Sequence, residues 1–178
     1  MGIETLMLVF TALAAIATAL LAVFTWRLAK STVKMADEAH NASVRQLGVQ
    51  TWLQMVSRFD SPETKRARAK LAGQLENYHA LKHDEISEEV LNLFEDIGTL
   101  YKFGLIDKEL ADSTFSYYAT RWWELAKPYI IVERQKNKDE DEEIFADFEA
   151  FADAVRRPNE KMDRQKFVKD EKQLNSIF

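Results

Sequence analysis

Thr5–Trp26 reads TLMLVFTALAAIATALLAVFTW, with no charged residue, no Gly and no Pro. At a helical rise of ~1.5 Å per residue it is long enough to cross a hydrocarbon core of ~30 Å. A core helix of a globular protein carries a polar stripe, and this run has none. A cleaved secretory leader opens on a basic segment. Here Gly2, Ile3 and Glu4 follow Met1, and the cleavage-like triplets Ala12-Leu13-Ala14 and Ala15-Ile16-Ala17 fall inside the apolar run. The stretch is read as an anchor, and residues 27–178 as the chain it tethers.

Flanking charge sets the expected orientation. Arg27, Lys30 and Lys34 follow the span, and Glu4 precedes it. An excess of Lys and Arg marks the cytoplasmic side. Residues 1–4 are therefore expected outside and the rest in the cytoplasm, at the inner membrane of a bacterial cell. Trp26, Arg27 and Lys30 fall at the membrane interface, Trp26 as an aromatic anchor. The absence of cysteine agrees with a reducing compartment. Thr11, Ala15 and Ala19 repeat every four residues, with Ala14, Thr18 and Ala22 in a neighbouring row. Small residues at this spacing let helix backbones approach closely in lipid. The expected partners are the bilayer and other transmembrane helices, from a second copy in a homo-oligomer or from a larger membrane complex.

Of 178 residues, about 150 remain after the span, enough for one domain with a core. The net charge of −5 points away from nucleic acid. Five Gly, three Pro and no sustained period-two alternation predict an all-α chain. The expected order is a transmembrane helix at 5–26, a stalk helix at 27–59 continuous with it, a helical bundle at 60–157, and a polar tail at 158–178. That tail is expected to be mobile, or a short helix that orders on a partner. Residues 31–43 read as a stalk, a coiled-coil segment in an oligomer or an exposed helix, with apolar spacing too irregular to set a heptad register.

Within the bundle, Asp60 and Glu63 around Pro62 predict a capped helix running to about Leu81. Its basic face, Lys65, Arg66, Arg68 and Lys70, is expected in solvent, with lipid head groups or an acidic partner as the functional reading. Ser87 is expected to cap a helix carrying Val90, Phe94 and Ile97, with Gly104 ending it and Asp107 capping the next. That next helix, about Lys108 to Lys127, carries Phe115, Tyr117, Tyr118, Trp122 and Trp123. Such a set implies a helix buried on two sides or a partner interface, to which Trp52 is added. Pro128 is expected to kink or restart the helix. Glu133 to Glu143 reads as a solvated loop or frayed helix end, without the ligand spacing of a calcium loop. Ile144 to Val155 reads as the last core helix.

Chemistry is thinly supported. There is no Cys nucleophile, no G-x-S-x-G context and no phosphate-binding glycine loop, so no catalytic residue and no cofactor are assigned. Glu76, His79 and His83 have the helical spacing of half a di-iron ligand set, which needs a second such motif and further carboxylates. Asp37 and His40 are the nearest approximation to one. Glu95 and Asp96 are adjacent and point to different helix faces.

The segments FDSPExxxAR at 59–68, LNLFEDIGTLYKFGLID at 91–107 and YYATRWWELAKPYI at 117–130, behind an N-terminal span, resemble an uncharacterised bacterial family. Its members are single-span membrane proteins with a small helical cytoplasmic domain. The resemblance covers about residues 45–135 and the anchor, and it implies a fold without known ligands or catalytic residues. The expected function is a membrane-anchored helical interaction module that self-associates and has no enzyme activity. The alternatives are an accessory single-span subunit of a larger complex and, as a minor one, a metal-dependent enzyme using Glu76, His79 and His83.

Overall fold

A computed structural model describes residues 2–76, 86–136, 143–157 and 162–174. The described residues form six helices and no strand: α1 (Ile3–Asp60), α2 (Pro62–Glu76), α3 (Glu89–Lys102), α4 (Lys108–Lys136), α5 (Ala146–Ala154) and α6 (Arg164–Gln173). The expected all-α architecture, a long N-terminal apolar helix followed by a helical bundle, is what the chain adopts. It divides into two compact units, Met1–Val44 and Arg45–Phe178.

The first unit is the bare part of α1. Its apolar run holds one stretch long and apolar enough to cross a membrane by length and composition, and none of that stretch is buried within the chain.

In the second unit the last turns of α1 enter the core through Phe59. Gly48 is buried because the backbone of Ile106 and Asp107 crosses it closely: a Cβ there would stand 3.3 Å from the Asp107 nitrogen. The cap of α2 is Ser61, not Asp60. Ser61 Oγ accepts the Thr64 amide at 3.1 Å, while Asp60 closes α1 and faces Lys65. The start of α3 also differs from expectation. Its first residue is Glu89 and no side chain caps it. The Ser87 amide instead donates to Gln74 Oε1, and Glu88 accepts the Tyr129 hydroxyl at 2.5 Å. The end of α3 is as the sequence predicts. Gly104 has φ +66°, its amide reaches the Tyr101 carbonyl, and the Leu105 amide reaches Leu100, which is a Schellman closure. Asp107 Oδ1 then accepts the Leu110 amide at 3.0 Å and caps α4.

The central element is α4. It runs through Pro128 to Lys136 in one piece instead of stopping at Lys127. Proline removes one backbone hydrogen bond, but Leu125, Ala126, Tyr129 and Ile130 are buried on both sides of it and hold the helical path. Trp122 faces Phe167 of α6, with ring centroids 5.3 Å apart, and Trp123 faces Phe148 of α5 at 5.4 Å. The two-sided burial that the aromatics implied is thus achieved inside one chain. Arg134, expected in a solvated segment, is a structural tie: it donates to the Ile144 carbonyl and to Glu149.

Residues 164–173, expected as part of a mobile tail or a helix ordered by a partner, form α6, and what α6 packs on is α2 of the same chain. Asp163 caps it through the Lys166 amide. The segment between Glu76 and Ile86, including the expected end of α2 near Leu81 and both His79 and His83, lies outside the described residues. So does the acidic run at 137–142.

Candidate functional site

Two surfaces collect the residues singled out by the sequence. On the first unit, Thr11, Ala15, Ala19, Trp26, Arg27 and Lys30 are all exposed. Lys30 Nζ lies 5.8 Å from the Trp26 ring centroid, so the aromatic and the first basic side chains share one patch. Thr11, Thr18, Thr25 and Thr32 recur every seven residues. Each Oγ donates to the carbonyl four residues back, those of Met7, Ala14, Leu21 and Leu28, at 2.7 to 2.9 Å. Between them fall Ala15, Ala22 and Ala29, and Ala36, Ala39 and Ser43 follow. The steps alternate four and three, the spacing that left-handed helix pairs use. A heptad therefore does run through α1, carried by small residues and not by the large ones. Arg27, Lys30, Lys34, Asp37 and Glu38 all lie off the seam. The signal was in the sequence as the period of the threonines.

On the second unit, the aromatic residues of α4 sort by neighbour. Trp122 and Trp123 are core side chains, 0% and 2% exposed, and offer nothing to a partner outside the folded chain. The Trp122 Nε1 has no acceptor among the described residues. Trp52 is half-buried and donates from Nε1 to Thr114 Oγ1 at 3.1 Å, tying the end of α1 to α4. Tyr118 is partly buried between Phe59 and Arg68. Tyr117 is 44% exposed, with Arg121 over its ring at 3.5 Å.

Arg68 departs most from its sequence reading. Expected on a solvated basic face, it is 3% exposed. Its guanidinium lies 4.1 Å from the Phe59 ring and 4.8 Å from the Tyr118 ring. Nε and Nη2 donate to the two oxygens of Glu171 at 2.9 and 2.7 Å, a bidentate pair. Burial pushes the Glu171 carboxyl above its ordinary range, and Arg68 pulls against that rise. Arg66 and Lys70, on the other side of α2, are exposed as expected.

A second polar knot joins α3 to α5. Phe145, the residue before α5, has φ 57° and a buried ring, so it brings no capping oxygen. Glu95 supplies one from α3: its carboxylate accepts the amides of Phe148 at 2.7 Å and Asp147 at 3.3 Å. Asp147 accepts in turn from Thr99 and Lys102. Burial raises the Glu95 carboxyl, opposed by the two amides, whereas the Lys102 hydrogen bond and then that of Thr99 lower Asp147. Asp96 faces away and binds Arg58. This arrangement is capping and not acid–base machinery: both oxygens of Glu95 are committed to backbone.

Among the described residues no three His, Asp or Glu side chains gather as metal ligands. Of the set Glu76, His79 and His83, the described member is Glu76, which pairs with Lys172. The chain belongs to the family described as Domain of unknown function (DUF4760), matched over residues 12–155. No curated protein and no solved structure matches it.

Proposed function

We propose that this chain is a single-pass membrane protein in which α1 anchors and pairs, and the bundle serves as a cytoplasmic interaction module. The observation that carries the reading is the unburied apolar run of α1. An exposed surface of that length and composition finds its solvent in lipid. The charge asymmetry of Glu4 against Arg27, Lys30 and Lys34 supports a short N-terminus outside and the bundle in the cytoplasm, in our reading at the inner membrane of a bacterial cell. The seam of Thr and Ala supports self-association. Its hydroxyls are satisfied within the helix, as hydrocarbon requires, and its profile is low enough for close approach. A strict seven-residue period favours a parallel copy of the same helix. Such a partner changes from apolar to charged at the same height, so the seam continues across the boundary. No residue is assigned a catalytic role, and the work of the protein is to hold or recruit.

Two measurements test the reading. External protease added to right-side-out vesicles should leave 27–178 intact; digestion of that region reverses the orientation. The intact mass of the detergent complex purified from native membranes should be a multiple of one chain. A complex holding stoichiometric amounts of unrelated span-rich chains would instead make this an accessory subunit.

A further inference from the structure

The groove between α2 and α4 contains a buried cation whose counter-charge comes from α6. Its floor is Arg68, whose guanidinium packs against the rings of both Phe59 and Tyr118. Its wall is Trp122 and Tyr117, which meet the Phe167 ring at 5.3 and 6.5 Å. Into it α6 places Phe167, Val168 and Glu171, and its other side chains stay in solvent or at the rim. We propose that this groove is a docking site for a short amphipathic helix that presents one glutamate to Arg68, and that α6 is its resident, exchangeable occupant.

Three observations carry the proposal. The groove is chemically selective. A guanidinium held against two rings and paired through Nε and Nη2 accepts a planar carboxylate in one orientation. The apolar wall requires two adjacent apolar side chains, placed one helical turn before that carboxylate. The partner is thus a helix of pattern apolar-apolar-x-x-Glu, complementary in charge to Arg68. Next, α6 is held by its contacts and not by itself. A helix of this length is marginal alone, and its sequence RQKFVKDEKQ is polar outside the three buried positions. Burial acts against the ionised Glu171 carboxyl, so docking is opposed as well as favoured. Finally, the walls of the groove lie within the residues matched to the family, and α6 lies beyond them. The groove and its occupant fall on opposite sides of that boundary.

The test uses the full-length chain in detergent micelles and a fluorescent peptide of residues 162–174. Three forms of the chain are compared: wild type, E171A, and F167S, which loosens α6 without touching the ion pair. Amide exchange over α6 reports whether the groove is vacated, and exchange over α4 reports that the bundle persists. In both variants the α6 amides should exchange roughly tenfold faster or more, with α4 unchanged. The peptide should bind both variants about tenfold more tightly than wild type, because the competing occupant has gone. A peptide with Gln in place of Glu171 should lose about tenfold against the Glu peptide. Unchanged protection of α6 in both variants overturns the proposal, as does a vacated groove that refuses the peptide. Equal binding of the Gln and Glu peptides removes Arg68 as the recognition element. Loss of α4 protection in both variants makes α6 an integral part of the core and also overturns it.

Discussion

Arg68 and Glu171 stand 103 positions apart and share two hydrogen bonds at a site where each is about 4% exposed. A buried pair of this kind is costly to break and inexpensive to replace. R68M leaves a carboxylate buried without its partner and should cost about 3–5 kcal/mol. The double variant R68M/E171M should recover most of that loss. Denaturant unfolding in micelles, followed by tryptophan fluorescence, measures both, and an additive double variant contradicts the coupling.

Gly98 is where α5 crosses α3. A Cβ there would stand 2.2 Å from the Asp147 carbonyl oxygen and 3.0 Å from the Phe148 nitrogen, both backbone atoms. G98A should therefore destabilise by about 1–3 kcal/mol or more, although alanine is the better helix former. Gly73 is the control. Its nearest neighbour is the flexible end of Lys172 at 3.4 Å, so G73A should be neutral or stabilising by up to about 1 kcal/mol. Thermal midpoints of the two variants should move in different directions.

The Glu95 cap has a pH signature. Burial raises its carboxyl above the ordinary 4.5, so the folded chain binds the proton more readily than the unfolded one. Its contribution is fully present below pH 4.5 and is lost as pH rises through the folded value. The stability difference between wild type and E95Q should be largest at the acid end and shrink toward neutrality. Asp147 carries the opposite sign in a lower window: its contribution is present above 3.8 and lost as pH falls through its lowered value. A series of melts from pH 3 to about 7 for wild type, E95Q and D147N separates the two.

The seam of α1 is tested by bulk. A22I puts a branched side chain on the row of small residues, and V23I adds a single methylene off it. Association of the full chain in micelles, followed by resonance transfer between labelled copies, should weaken about tenfold for A22I and stay within error for V23I. Equal behaviour removes the seam from the interface.

The elements of this fold were legible where periodicity and punctuation agree. Gly104 and Asp107 mark the corner between α3 and α4 because one tolerates positive φ and the other offers a short carboxylate. Local rules misplaced what distant groups decide. Asp60 lost the cap of α2 to its neighbour Ser61, a choice between two residues both suited to it. Pro128 did not end α4, because burial on both sides outweighs one missing hydrogen bond. Arg68 looked solvated since its partner lies at the far end of the chain, and no spacing rule links them. The aromatic residues of α4 left open a helix buried on two sides or a partner interface; Trp122 and Trp123 take the first course, against α6 and α5.

The Glu95 cap makes one helix depend on another. A helix that begins with its own Ser or Asp can form as soon as its residues are made. The first turn of α5 has no such start and depends on a carboxylate about fifty residues earlier. The Ala146 amide finds a local acceptor in the Glu143 carbonyl, but those of Asp147 and Phe148 gain theirs only when α3 is docked beside them. The start of α5 is thereby completed by α3 and not by its own sequence.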